Sequence, residues 1–367
     1  MEVPDVGSNE LLWRVLLIFT TDNTRHYPRC NSFSMGKKKE KSPRVNLGKV
    51  PHHPNEKYRI DLPDGVPRPP ILGMYVAKRG QGKSTAAVRL LKYYVDHDPS
   101  VFHQDLCFVI SPTAESQKHL WNHIGIPEEN VFTAATASKV KDIVDNIVNL
   151  LKALKEQHDE DEEYLIAYRR LVKNKELTMR QQSILESRDA QPLLNPTPWP
   201  RPCLMLDDLS HLKVLDKPWF VSLCLRHRHL AGGVSLSMLI ILQSLKGGLS
   251  RVVRQNCSLI CLFSTHDKDN ILDLYRECSH LLGREEFDAV FENATDEFHS
   301  FLAVDLSQTD ANKVFSRNFE HWYNIRNTPA AALESKVAPF STPHPEARKD
   351  TKDTLAVASG LEGSKHK

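Results

Sequence analysis

The chain of 367 residues has almost no net charge, with 48 Lys and Arg against 46 Asp and Glu. This balance excludes a generally polyanion-binding surface, so any nucleic-acid contact must be local. No two cysteines have C-x-x-C spacing. All seven (Cys30, Cys107, Cys203, Cys224, Cys257, Cys261 and Cys278) are scattered, several within apolar runs. They read as buried thiols in a reducing compartment, and the spacing argues against a disulfide framework or a zinc site. No apolar run reaches the ~20 residues needed to cross a bilayer. The stretch from Leu11 to Thr20 is interrupted by Arg14 and lacks the basic lead of a secretory signal, so no membrane anchor is expected. There is no internal repeat. What remains is an ordinary globular composition, 40% hydrophobic and 26% charged, with room for one large α/β domain plus extensions or two smaller domains.

The chemistry begins at Ile71–Asp96. An apolar run, Ile71 to Ala77, breaks into a turn from Lys78 to Gly82, and Lys83-Ser84 opens a segment with Ala87, Leu90, Leu91 and Tyr94 at helical spacing. This is the pattern of a strand, a phosphate loop and a helix. Backbone N–H groups of such a turn, and of the helix start after it, point at phosphate oxygens. Gly80 and Gly82 let the chain approach without a Cβ in the way. The expected phosphate contacts are Lys78, Arg79, Gly80, Gln81, Gly82, Lys83, Ser84 and Thr85, with Lys83 reaching the β and γ phosphates and Ser84 ligating Mg²⁺. Against G-x-x-x-x-G-K-[ST], the window Ala77–Ser84 departs only at its first place, where Ala77 replaces glycine.

A second anchor follows a proline-rich connector, residues 192–202. Cys203-Leu-Met-Leu-Asp207-Asp208 reads as an apolar strand ending in two carboxylates. Acids at the carboxyl end of a parallel strand lie on the same rim as the phosphate loop. Asp207 is then placed to hold Mg²⁺, and Asp208 to polarise water as a general base. The alternative is an Asp-Asp turn that caps the following helix. Leu236–Leu242 is a further strand, ending in Gln243, an amide suited to sensing the γ-phosphate or simply the first residue of a loop. Arg251 and Arg254, before the strand Cys257–Phe263, are candidates for an arginine that reaches a neighbouring subunit's phosphates, or are surface residues.

Around these anchors, residues 1–54 read as a flexible basic arm carrying the run Gly36–Lys41, with Met35 just before it as an alternative start. Residues 55–327 read as the nucleotide-binding domain and 328–367 as a polar, disordered tail. Within the domain, 137–200 is expected to be a charged helical insertion whose acidic knot, Asp159–Glu163, forms a solvated corner between helices. Further strands are expected at Leu106–Ile110, Val131–Thr133 and Cys257–Phe263, helices at Leu215–Leu230 and 267–282, and edge strands at Phe298–Val304 and Lys313–Trp322.

Ala77–Ser84, Leu204–Asp208, Arg228-His229, the strand ending in Gln243, and Arg254-x-Asn256 before a strand occur in a telling order. That order resembles the poxvirus-type genome-packaging ATPases of large DNA viruses, within the FtsK-HerA superfamily, over roughly residues 68–306. The resemblance implies an α/β fold: a RecA-like P-loop NTPase with a central, mostly parallel sheet flanked by helices. It implies an ATP- and Mg²⁺-dependent motor acting on double-stranded DNA as a homo-oligomeric ring, with a capsid or portal partner. It would work in the host cytoplasm or nucleus at sites of virion assembly. Lys83 and Ser84 match the Walker A lysine and metal ligand, Asp207 and Asp208 the Walker B pair, and Gln243 the polar sensor; Arg228 and Arg254 both remain candidates for the trans-acting arginine. A cellular or plasmid translocase of the same superfamily, and a nucleotide-binding structural or switch protein without turnover, are the alternatives. A GTPase switch is disfavoured: Asp207 is followed by Asp-Leu-Ser210, with no glycine three residues on, and Thr265–Asp269 does not match an Asn-Lys-x-Asp guanine reader.

Overall fold

A strand with no polar alternation must be covered on both faces. β1 (Leu72–Val76) is such a strand, buried at every position. After the turn that follows it come α1 (Lys83–His97), β2 (Cys107–Ile110), α2 (Lys118–Ile124) and β3 (Val131–Phe132). The insertion contributes α3 (Ala137–Val172) and α4 (Met179–Glu186). The chain returns as β4 (Cys203–Asp207), α5 (Pro218–Arg226), β5 (Ser237–Leu242), α6 (Arg251–Gln255), β6 (Leu259–Phe263), α7 (Lys268–Cys278) and α8 (Arg284–Ala294). It closes with β7 (Phe301–Asp305), β8 (Phe315–Arg317), β9 (His321–Tyr323) and β10 (Ser335–Val337). This computed structural model describes residues 62–97, 101–193, 196–245, 249–325 and 335–337. The basic arm, Met35 and most of the polar tail lie outside the described residues.

The ten strands form one sheet in the order β10-β9-β8-β7-β6-β1-β5-β4-β2-β3. From β6 to β3 neighbouring strands are parallel, and from β6 outward to β10 they are antiparallel. β1 lies between β5 and β6, so the turn it feeds emerges near the middle of the sheet. One face carries Tyr75, Val109, Met205, Ile241 and Phe263 against α1 and α2 through Val88, Leu91 and Trp121. The other carries Met74, Ile110, Leu206, Ile240 and Leu262 against Val140 and Leu151 of α3, Phe220 of α5, Leu274 of α7 and Phe287 of α8. Helices on both faces of a mostly parallel sheet, with a phosphate-loop strand near its centre, constitute the expected RecA-like P-loop NTPase architecture.

Several local expectations are corrected. The helix expected at Leu215–Leu230 is shorter: Pro218 starts α5 and a 3₁₀ turn, His227–His229, ends it. β7 is not an edge strand, being paired with β6 on one side and β8 on the other. α8 is an element that the sequence reading did not anticipate. Within the stretch read as a tail, β10 pairs with β9. The cysteines behave as expected where described: Cys107, Cys203, Cys224, Cys257, Cys261 and Cys278 are free and buried. Burial pushes the Cys107 thiol up to about 12, which makes it a packing residue rather than a nucleophile.

The largest correction is in the insertion. Asp159–Glu163 is not a corner, because α3 runs unbroken through it for 36 residues, about 54 Å at 1.5 Å per residue. Val140, Ile147 and Leu151 tie its first half to the sheet. Its second half packs with α4 around Tyr164, Ala167 and Leu185, a small core of its own. Asp161 is 4% exposed and accepts hydrogen bonds from Arg188 Nη1 at 2.8 Å, Thr197 N at 2.7 Å and Gln157 Nε2 at 3.1 Å. Burial alone would raise its pKa, but the Thr197 and Arg188 bonds outweigh this and pull it down to about 2.

A depressed carboxylate pKa stabilises the fold above the unfolded value of 3.8, and the contribution is lost as pH falls through about 2. Asp161→Asn is therefore expected to cost about 2 kcal/mol at pH 7, by the linkage of 1.36 kcal/mol per unit. The gap should shrink by roughly half at pH 3. Urea unfolding at the two pH values measures it, and an unchanged midpoint at pH 7 would show that this network does not hold the insertion in place.

Candidate functional site

Ala77 explains how the loop tolerates its missing first glycine. Its N–H still donates to Leu242 O at 3.2 Å, continuing the β1–β5 ladder, and its methyl is buried. The left-handed conformations fall at Gly80, with φ +83°, and Gly82, with φ +89°. Only there does the turn need glycine. A Cβ on Gly80 would meet nothing within 4 Å, so the loop backbone there borders open space. Ala86 N donates to Gly82 O at 2.9 Å as the first turn of α1 forms. The N–H groups of the preceding residues have no such partner built into a helix start, which makes this an anion-binding end.

The loop opens into a cleft of about 430 Å³ lined by Arg79, Gly80, Gly82, Lys83, Ser84 and Thr85, by Asp207 and Asp208 from the end of β4, and by Gln243 from the end of β5. Because β4, β5 and β1 are parallel, their carboxyl ends share one rim, as the strand reading required. Ser84 Oγ donates to Asp207 Oδ2 at 3.1 Å, and Gln243 Nε2 donates to Asp208 Oδ1 at 3.0 Å. Lys83 Nζ donates to Lys78 O at 3.0 Å, bending back over its own loop. Lys78 thus enters through its carbonyl, and Gln81 sits half-buried in the turn. Asp208 holds a left-handed backbone, φ +53°, unusual for a residue with a side chain. It caps no helix: the 3₁₀ turn Ser210–Leu212 is preceded by Leu209 and has no side-chain cap. The Asp-Asp capping alternative therefore fails.

The electrostatics are those of a site short of countercharge. Burial lowers the Lys83 pKa, and the nearby Asp207 and Asp208 carboxylates oppose that shift. Burial raises the Asp207 pKa; the Ser84 hydroxyl counters it, Asp208 adds to it, and the Gln117 amide and Lys83 lower it again. Asp207 is 3% exposed. Two adjacent carboxylates, one of them buried, favour a cation or hydrogen-bond donors beside them.

Arg228 and Arg254 do not line this cleft. Arg228 is exposed on the 3₁₀ turn after α5. Arg254 Nη1 donates to Leu249 O at 2.6 Å, and the residue borders a separate hollow with Arg251, Asp273 and Arg276. The sequence reading also missed part of the lining: Thr113, Ser116 and Gln117 from the segment after β2, and His299 from the turn before β7. Gln117 presents a buried Oε1 with no partner among the described residues. The signal for the first group was Ser111-Pro112-Thr113, which ends β2 on the same rim. His299 carried no sequence signal.

Sheet order, phosphate loop and rim carboxylates together define the fold of the P-loop NTPases, of RecA-like architecture. No family model matches the chain, and no curated protein matches it. Among solved structures, it is similar to the DNA-packaging ATPase B204 from Sulfolobus turreted icosahedral virus, at 12% identity over 68% of this chain and 97% of that one, with a TM-score of 0.39. The pCW3 conjugation coupling protein TcpA is 12% identical over 66% of this chain and 58% of that one, with a TM-score of 0.31. The cytoplasmic domain of the Type VII secretion ATPase EccC from Thermomonospora curvata is 14% identical over 72% of this chain and 26% of that one, with a TM-score of 0.34. Likeness at this level adds nothing to what the sheet order and the cleft establish. Among the described residues no helix is long and apolar enough to cross a membrane.

Proposed function

We propose that the chain is an ATP-hydrolysing translocase of double-stranded DNA that packages a viral genome into a capsid. The observation that carries the hydrolytic part is the meeting of Lys83, Ser84, Asp207, Asp208 and Gln243 in one cleft, from three parallel strands, around a glycine loop. The packaging part rests on the order of motifs along the sequence. The donor set fits its ligands: Ser84 and Asp207 offer oxygens to a hard divalent cation, and Lys83 with the loop N–H groups suits a triphosphate. Ser84 and Asp207 would hold Mg²⁺, which would supply positive charge against the negative charge that develops on the phosphates in transfer.

The chain's own residues do the rest. Lys83, released from Lys78 O, contacts the β and γ phosphates. Gln243 fixes one oxygen of Asp208, which leaves the other to take a proton from the attacking water. Arg228 or Arg254, remote from the cleft of their own subunit, would act on a neighbour's phosphates across a ring. On this reading 55–327 is the motor domain, extended by β10 within 328–367, and 1–54 is a basic arm. The partners are duplex DNA, further copies of the chain and a capsid or portal protein, at intracellular sites of virion assembly.

Purified protein should release phosphate from ATP with Mg²⁺, several-fold faster with linear duplex DNA, and its mass should rise to that of an oligomer with nucleotide. Turnover indifferent to DNA would remove the translocase. Bound ATP without phosphate release would favour a structural nucleotide-binding protein, although paired acids at 207 and 208 are of little use to a site that only binds. A chromosome or plasmid translocase of the same superfamily would give the same stimulation but no association with capsid protein.

A further inference from the structure

The sheet order gives the cleft a direction. Asp207 and Asp208 end β4, two strands from β1 on one side, with Gln243 on the intervening β5. His299 lies just before β7, two strands from β1 on the other side. β7 runs antiparallel to β6, so Phe301 pairs with Phe263 and the turn before β7 arrives at the same rim as the phosphate loop. A triphosphate lying on this loop with its γ end toward Asp208 and Gln243 directs its ribose and base away from them, toward this turn.

The turn is built to hold its place. Ser300, which is buried, donates through N at 3.1 Å and Oγ at 2.6 Å to Glu297 O. Arg317 pairs with both Asp296 and Glu297 at 2.8 Å. Phe301 N donates to Asn318 Oδ1 at 3.0 Å. The result sets His299 in a left-handed conformation, φ +68°. Its Nδ1 lies 3.1 Å from where a Cβ of Gly82 would stand, against the phosphate loop itself. Phe298 stands next to it 77% exposed, the two ring centroids 3.9 Å apart. Single exposed apolar residues are common. One held on a braced and strained turn, in contact with a ring that lines the phosphate cleft, is a different matter.

We infer that the Phe298-His299 turn is the nucleobase seat of this site, taking the aromatic base of a nucleoside triphosphate by stacking. The inference rests on the nucleotide reading above and specifies which end of the cleft the base occupies. A stacking seat of this kind is tolerant of base identity, because every base offers a π face. It therefore grips ATP and GTP alike, unlike a guanine reader.

Calorimetric titration with ATP and with inorganic tripolyphosphate, both with Mg²⁺, separates the base from the phosphates. Phe298→Ala should weaken ATP roughly tenfold, within the range of one base–aromatic stack, and leave tripolyphosphate affinity as in wild type. Lys83→Ala should weaken both ligands. Since Phe298 is exposed, its loss leaves the core intact. Unchanged ATP affinity in Phe298→Ala, or equal weakening of both ligands, would overturn the base seat while the nucleotide site stands. A wild-type protein that binds neither ligand would overturn the nucleotide reading, and this inference with it.

Discussion

Lys83→Ala is expected to lower the rate of ATP hydrolysis by about 10²–10³-fold, the cost of removing one fixed electrostatic contact to a transferring group. Lys83 sits where it can act: its ammonium is partly desolvated, faces Asp207 and Asp208, and rests on Lys78 O within its own loop. That resting contact is local to the loop, so a phosphate replaces a carbonyl without any rearrangement of α1. Lys83→Arg should recover little. A planar guanidinium does not occupy the volume of a compact ammonium, and its donors are splayed. Single-turnover phosphate release from both variants, with melting curves to confirm that they are folded, checks this. A rate within threefold of wild type for Lys83→Ala would move the site elsewhere.

Sequence pattern carried the fold where burial forces a pattern. β1, β4, β5 and β6 are covered on both faces and therefore read as continuous apolar runs, and the strand–loop–helix context made Gly80, Gly82, Lys83 and Ser84 legible despite Ala77. The structure gives the reason that the departure is harmless: Ala77 still belongs to the ladder, and positive φ begins only at Gly80. The failures have physical causes as well. Asp159–Glu163 looked solvated because five acids in a row usually are. Which of them is buried depends on Arg188 and Thr197, far along the chain. α8 does show Phe287, Val290, Phe291 and Ala294 at helical spacing, so that helix was available to a fuller reading. His299 was not, because it joins the cleft only through sheet order. A residue before an antiparallel strand does not advertise which rim it reaches.

Asp207→Asn should move stability and activity in opposite directions. Burial holds the Asp207 pKa above the usual carboxylate value, against the Ser84 hydroxyl bond. A raised pKa in the folded state means that the protonated form is the one folding favours. Its contribution is present below the unfolded value of 3.8 and lost as pH rises through the folded pKa. At pH 7 the charged, buried carboxylate is therefore a liability beside Asp208. An amide removes that charge, keeps an oxygen to accept from Ser84, and matches the volume. The nucleotide-free variant should melt higher than wild type at pH 7, with the gap narrowing as the pH is lowered toward 4. Hydrolysis should fall by at least ~10²-fold, because the charge that would hold the metal is gone. Adding Mg²⁺ and ATP should then reverse the order of melting, since only the wild type gains the stabilisation that comes from binding a ligand to the folded state. A variant that melts lower than wild type at pH 7 without nucleotide would show that Asp207 is a structural anchor of the rim instead of a charge kept there for a cation.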